Sequence, residues 1–144
     1  RDRFGSVSPE EQAALPGTET ELWIKTANGC KIHVFEERPD TLPPKAALLL
    51  NFHGGGFIKG RTDRDRRYCC TLMERLNCLV WDVDYCLAPE KAFPAAVHES
   101  CGIEAGVCVT AQRIPEAMHG FTTNRTPGWE RALALHCKFF RQHL

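Results

Sequence analysis

Residues 53–56 read His53-Gly54-Gly55-Gly56, and they end an apolar run that occupies positions 46–52. A buried strand that stops at three glycines presents bare backbone N–H groups at the end of a sheet, with no side chain to screen them. Groups aimed in this way stabilise negative charge as it develops on an oxygen. Asp82 and Asp84 stand two residues apart. Their carboxylates therefore share one face at a strand's end, as a pair that could divide into acid and base. Cys108 sits in Gly106-Val107-Cys108-Val109-Thr110, half of a nucleophile pattern in which a thiol can stand for a hydroxyl. That stretch reads as a strand interior with no turn after it, which makes Cys108 a buried strand thiol. Cys30, Cys69, Cys70, Cys78, Cys86, Cys101, Cys108 and Cys137 include no C-x-x-C pair, so the spacing of a zinc site is absent. Spread through predicted strands and helices, they read as reduced thiols acting as small hydrophobes. A zinc site built from His53, His119 and a cysteine has no spacing behind it.

The elements that must position these groups follow from periodicity. Ser8-Pro9-Glu10-Glu11 is a capping box with proline at the first helical position, and it predicts a helix over 9–15. Residues 21–25 and 30–36 read as two strands joined through Ala27-Asn28-Gly29, a hairpin turn sequence. A proline-rich connection fills 37–45. The unalternating apolar run 46–52 predicts a central parallel strand buried on both faces. A helix over 63–77 places Tyr68, Cys69, Leu72, Met73 and Leu76 on one face. A strand over 78–84 completes a βαβ unit around the glycine loop. Prolines set 85–94 as a loop. A short helix is expected from Ala95, a strand over 107–114, a loop over 115–128 and a last helix over 129–144. The last helix packs a stripe of Trp129, Leu133, Cys137, Phe140 and Leu144.

Bulk composition narrows the function. The 144 residues suffice for one domain, and 18 basic against 18 acidic side chains give no net charge. A neutral chain lacks the basic face that nucleic acid requires. No apolar run is long enough to span a bilayer. No charged-then-apolar leader opens the sequence, and the expected location is the cytoplasm. Asn124-Arg125-Thr126 matches a glycosylation acceptor that such a location leaves unused.

Three stretches taken together resemble the hormone-sensitive-lipase-like esterases of the α/β-hydrolase superfamily. They are His53-Gly54-Gly55-Gly56-Phe57, then Asp84-Tyr85-Cys86-Leu87-Ala88-Pro89-Glu90, then Phe93-Pro94-Ala95-Ala96. Met118-His119-Gly120-Phe121, with a terminal helix after it, looks like the segment that carries that family's histidine. The resemblance implies an α/β architecture: an incomplete α/β-hydrolase fold, mostly parallel, with an N-terminal antiparallel hairpin and flanking helices. It covers most of residues 20–144 within a single truncated domain over 1–144, with 20–100 similar to the family's N-terminal block and 103–144 to its C-terminal block. The implied reaction is serine acyl-enzyme hydrolysis of short acyl esters, with a small-molecule ester as partner and neither metal nor cofactor. By the same comparison Gly55 and Gly56 would donate N–H groups to the oxyanion, and Gly54 would give the turn room. His53 would brace the loop, and Asp84 and Tyr85 would support it, Asp84 by accepting backbone hydrogen bonds. His119 would be the general base.

The chain departs from the family where the nucleophile belongs. No G-x-S-x-G elbow occurs, and only eight residues separate Ala96 from Ala105, where the family holds the elbow and the acid loop. Ser100, in His98-Glu99-Ser100-Cys101-Gly102, comes nearest to an elbow serine, with Glu104 or Glu116 in order for the acid. His98 stands where the elbow needs its first glycine. The chain therefore reads as two family blocks joined directly, with the central part missing and with impaired or absent activity. The alternative is a non-catalytic remnant whose exposed sheet edges invite a homo-oligomer. A thiol redox or metal-binding protein is a distant third reading. His33, His136 and His143 lie on predicted element surfaces with no specific role.

Overall fold

A computed structural model of the chain describes residues 7–25, 31–91 and 121–143. The helix expected from Ala95, the strand over 107–114, and Ser100, Cys108 and His119 lie outside the described residues.

Helix α1 spans Pro9–Ala13. Ser8 caps it: its Oγ accepts from the Glu11 N–H, and its own N–H donates back to the Glu11 carboxylate, both at 3.2 Å. Strands β1 (Thr18–Lys25) and β2 (Lys31–Arg38) pair antiparallel from Thr18↔Arg38 to Lys25↔Lys31. Strand β3 spans Leu48–Phe52, helix α2 Asp63–Leu76 and strand β4 Leu79–Asp84. The turn Phe121–Asn124 (α3) and helix Trp129–His143 (α4) complete the described elements. A helical turn thus interrupts the stretch over 115–128 that reads as loop. Helix α2 opens at Thr62, whose N–H and Oγ1 both donate to Asp65 Oδ2, at 2.9 and 2.7 Å. It closes on Asn77 at φ 48°, a left-handed cap that asparagine tolerates.

The four described strands run in the order β1-β2-β4-β3. β2 pairs with β4 antiparallel and β3 with β4 parallel. The sheet is mixed among the described strands, with one parallel pairing of three, because the hairpin docks on β4 in the antiparallel sense. Among the described strands β3 stands last in that order, and Leu48 and Phe52 keep 43% and 40% of their surface exposed. A continuous apolar run reports two apolar faces; it does not report which edge is occupied.

The main core lies between the sheet and the helices. Cys69, Leu72 and Met73 of α2 meet Cys78 and Val80 from the sheet and Leu133 and Cys137 from α4. The helical stripes read from the sequence form this core. A second cluster, Val34, Val83 and Tyr85, seats the loop after β4 against the other end of the sheet. Cys69, Cys70, Cys78 and Cys137 are buried free thiols. Burial pushes the Cys69 thiol well up, Cys70 to about 12 and Cys78 to about 11. These three stay protonated and behave as hydrophobes.

Candidate active site

The glycine loop leaves β3 at Phe52 and returns to the protein at Arg61, and each end is held by a different polar network. At the first end His53 is buried, 4% exposed, and its ring stacks on Tyr85 with centroids 4.4 Å apart. The Tyr85 hydroxyl donates to the His53 carbonyl at 2.6 Å. Burial raises the Tyr85 pKa, which keeps the donor hydrogen in place. His53 Nδ1 lies 2.9 Å from the Gly54 carbonyl, and a carbonyl only accepts, so Nδ1 carries the hydrogen. The other nitrogen, Nε2, is buried without a hydrogen-bond partner and stands 3.5 Å from Asp84 Oδ1. At that distance the two atoms make no hydrogen bond.

Asp84 links this histidine to a second one. Its Oδ2 lies 3.1 Å from His33 Nδ1, and His33 Nε2 lies 2.6 Å from Glu21 Oε1. Trp23 stacks on the His33 ring at 4.4 Å. Among the described residues Asp84 therefore meets two imidazoles, and no backbone hydrogen bond to it is seen. His33, which reads as an idle strand histidine, sits in a chain running Glu21–His33–Asp84–His53. Strand register explains the meeting: His33 and Asp84 are Cα partners across β2 and β4.

Within the loop, Gly55 has φ 150° and Gly56 has φ 61°. A Cβ on Gly55 would fall 2.2 Å from the Lys59 carbonyl oxygen, and among the described residues one on Gly54 would meet nothing within 4 Å. Among the described residues the close approach that demands glycine is thus at Gly55. The Gly55 carbonyl accepts from the Ile58 and Lys59 N–H groups, at 3.3 and 3.1 Å, so the loop curls into a turn. Among the described residues nothing accepts from the N–H groups of Gly54, Gly55 or Gly56. Ala88 N–H donates to the Phe57 carbonyl at 2.8 Å, and Phe57 meets Tyr85 edge-on at 6.0 Å. The loop after β4 therefore buttresses the turn from outside.

At the other end Arg61 anchors the loop to buried acids. Its Nε donates to Asp82 Oδ2 at 2.6 Å and its Nη2 to Glu37 at 3.1 Å and to Glu19. Arg66 Nε stands 3.1 Å from Glu19 and 3.4 Å from Glu37. Asn51 donates to Asp82 at 2.6 Å, and the guanidinium lies 4.1 Å over the Phe35 ring. Burial pushes Glu37 up to about 8, with the Glu19 hydrogen bond and charge adding to it and Arg66 and Arg61 opposing it. Burial also raises Asp82, against the pull of Asn51 and Arg61. For Arg61 burial alone would lower the pKa, but Asp82 and Glu19 outweigh it and raise it. Asp82 and Asp84 thus share a strand face yet serve separate networks, one at each end of the loop. The buried ion cluster escapes a reading of the sequence, because Glu37 and Arg61 look like solvated charges; the signal is Glu37 two residues from Phe35 on a strand, on the same face.

The brace can be tested in isolation. Tyr85→Phe keeps the stack and leaves the His53 carbonyl without its donor. The expected cost is about 1 kcal/mol by chemical denaturation, with faster hydrogen exchange at Gly54–Gly56. Unchanged exchange there would show that the hydroxyl does not hold the turn.

With this geometry in view, the relatives are informative. A sequence profile described as alpha/beta hydrolase fold matches residues 49–103, from β3 through the glycine loop, α2 and β4. This part of the chain belongs to the alpha/beta hydrolase fold family. Its relatives in that family are esterases and lipases. Probable carboxylesterase 8 of Arabidopsis thaliana is 34% identical over 101 residues, 67% of this chain and 28% of its own length. Human hormone-sensitive lipase is 33% identical over 73 residues, 51% of this chain and 7% of the lipase. Among solved structures, a hyperthermophilic esterase from the archaeon Pyrobaculum calidifontis superposes with a TM-score of 0.56 at 30% identity, covering 65% of this chain and 29% of the esterase. Esterase LipW from Mycobacterium marinum gives 0.55 at 34% identity, with 65% and 29% covered. The chain spans less than a third of the length of these alpha/beta hydrolases.

Among the described residues no three His, Cys, Asp or Glu side chains converge as ligands for a metal. No described helix is long and apolar enough to cross a membrane.

Proposed function

We propose that this chain carries the carbonyl-binding half of an ester hydrolase for small acyl esters, and that by itself it turns such esters over poorly or not at all. The observation that carries the reading is the glycine loop: Gly55 and Gly56 hold N–H groups with no acceptor among the described residues, on a turn fixed at both ends. In this reading the Gly55 and Gly56 N–H groups receive the oxygen of a tetrahedral intermediate, while His53, Asp84 and Tyr85 hold their aim. His119 acts as base, and Ser100 is the hydroxyl nearest to the nucleophile's place in chain order. An oxyanion site accelerates acyl transfer only where a nucleophile is aimed at the carbonyl it holds. A family member also takes a donor from the residue after the nucleophile in its elbow, and no such elbow stands in this sequence. The chain is therefore a binder of the ester carbonyl before it is a catalyst. A redox role for its cysteines is disfavoured at Cys69, Cys70 and Cys78, whose burial holds them as thiols.

A tetrahedral anion tests the reading without requiring turnover. Ethyl methylphosphonate, titrated into the chain, should shift the Gly55 and Gly56 amide resonances saturably, in the millimolar range. Gly55→Ala forces a Cβ against the Lys59 carbonyl at φ 150° and should cost about 1–3 kcal/mol in loop strain. It should abolish those shifts while leaving the α2 and α4 resonances in place. Absence of shifts in the unmodified chain, or equal shifts in Gly55→Ala, would remove the anion-binding role.

A further inference from the structure

His33 sits in a cage suited to a cation. Three strands put it there: Trp23, His33 and Asp84 are Cα partners across β1, β2 and β4, so their side chains share one face of the sheet. The ring's Nε2 lies 2.6 Å from Glu21 Oε1 and its Nδ1 3.1 Å from Asp84 Oδ2. An ionised carboxylate only accepts, so each ring nitrogen must carry a hydrogen, and a ring with both is an imidazolium. A neutral ring would set one bare nitrogen against a carboxylate oxygen. Aromatic groups add to this: Trp23 stacks on the ring at 4.4 Å and 14°, and Phe35 meets it tilted at 4.6 Å. Aromatic faces attract a cation. Among the described residues the charged groups that face His33 are Glu21 from β1 and Asp84 from β4, and Arg61 lies one step further, over the Phe35 ring. The cage reaches the surface at Glu21, whose side chain is 60% exposed.

We propose that His33, held as an imidazolium between Glu21 and Asp84, is a positioning residue for the glycine turn, acting through Asp84 on His53. The Asp84 side chain is 31% exposed and is free to turn to water unless held. The charged ring pins its Oδ2, and that leaves Oδ1 turned toward His53. His53 Nε2 is buried without a hydrogen-bond partner and stands 3.5 Å from that oxygen, so the direction of the Asp84 charge sets the field on the His53 ring. His53 faces Asp84 at this edge and the Tyr85 ring on its stacked side. From Nδ1 it donates to the Gly54 carbonyl at 2.9 Å, so a shift of its ring is a shift of the turn. A strand-surface ion pair would end at Asp84; here the carboxylate has a second imidazole behind it. The sign follows from the charge. As pH rises and the ring gives up its second hydrogen, Asp84 is unpinned, so the turn is best held on the acid side of the His33 titration. The effect of His33 on anion affinity rests on the anion-binding reading above; the charge of its ring and the exchange of the turn amides do not.

NMR of the full chain tests this. At neutral pH both His33 ring nitrogens should show the shift of a protonated nitrogen, and on raising the pH the Gly54–Gly56 amides should move along the His33 titration curve. Glu21→Gln changes an exposed side chain whose described partner is His33. It should move both curves to lower pH together and weaken ethyl methylphosphonate binding by about two- to fivefold, the worth of a partly exposed ion pair. His33→Gln keeps a donor for Asp84 and loses the charge. It should erase the shared curve, speed exchange at Gly54–Gly56 and weaken the anion by about tenfold. The Glu37 step at the Arg61 end of the loop, read at Lys59 and Gly60, should survive in both variants. If the unmodified chain does not bind the phosphonate, the ester reading fails, and the ring shifts, the shared curve and the exchange still decide the role of His33. Should His33→Gln fail to fold, Glu21→Gln carries the test. A neutral His33 ring at neutral pH, turn amides that ignore Glu21→Gln, or unchanged exchange in a folded His33→Gln would each overturn the proposal.

Discussion

Arg61→Ala should destabilise the chain by about 3–5 kcal/mol, the cost of breaking a buried ion network from one side. The guanidinium contacts Asp82, Glu37 and Glu19 at once, and Asp82 and Glu37 are fully buried. Removing it leaves the buried Asp82 carboxylate, among the described residues, to the hydrogen bond from Asn51, while Arg66 reaches only Glu19 and Glu37. Leaving a buried carboxylate unpaired costs more than losing the packing over Phe35. In a chain of this size the loss should lower the melting temperature by roughly 10 °C. Arg61→Lys keeps the charge but cannot span three acids with a planar fork, so it should recover only part of the loss. The same variant should free the far end of the glycine loop, which exchange at Lys59 and Gly60 would report. A change under about 1 kcal/mol would show that Asp82 and Glu37 are satisfied by other groups.

The buried pair of glutamates predicts a pH dependence of unusual sign for a protein near neutrality. Burial, followed by Glu19, raises Glu37 from an ordinary 4.5 to about 8 in the folded chain. Below the ordinary value both folded and unfolded chains hold the proton, and its stabilising contribution is fully present. Between the two values the folded chain holds a proton that the unfolded chain has released. Stability must then fall as pH rises, at up to about 1.4 kcal/mol per pH unit. The contribution is gone once pH passes the folded value. Glu19 is shifted the other way: burial raises it, but its hydrogen bond to Glu37 and the charges of Arg61 and Arg66 prevail and lower it. Its stabilising effect is lost only in acid, as pH falls below the ordinary glutamate range, so the two windows are separate. Urea denaturation between about pH 5.5 and 7.5 should show stability decreasing by about 2 kcal/mol. Glu37→Gln keeps the donor that a protonated carboxyl supplies and cannot ionise, so its curve should be nearly flat over that range. Equal slopes in both proteins would place the proton elsewhere.

The sequence made local structure and ancestry legible and left the polar interior hidden. The helical stripe from Cys69 to Met73, the capping box at Ser8 and the strand–loop–helix–strand run around His53 each follow from side-chain period and turn chemistry, and all are present. The order of the described strands could not be read, because an apolar run carries no record of its neighbours. His33 and Arg61 were illegible for a related reason. Their partners, Asp84 at 51 positions' remove and Asp82 at 21, are set by strand register and by the direction in which the loop turns. A charged residue on a strand looks the same in sequence whether it faces water or a buried acid. Within the glycine triplet the sequence could not separate three equivalent residues, whereas backbone angle and the Lys59 carbonyl single out Gly55.

The proposed function gives the chain a carbonyl-binding turn without an aimed nucleophile. Incubation with a fluorophosphonate probe, beside an assay of p-nitrophenyl acetate turnover, tests it most directly. The expected result is no labelled serine in the folded chain and no turnover above background, with the Gly55 and Gly56 amides still responding to the phosphonate anion. Labelling at Ser100, together with turnover that His119→Ala abolishes, would contradict it.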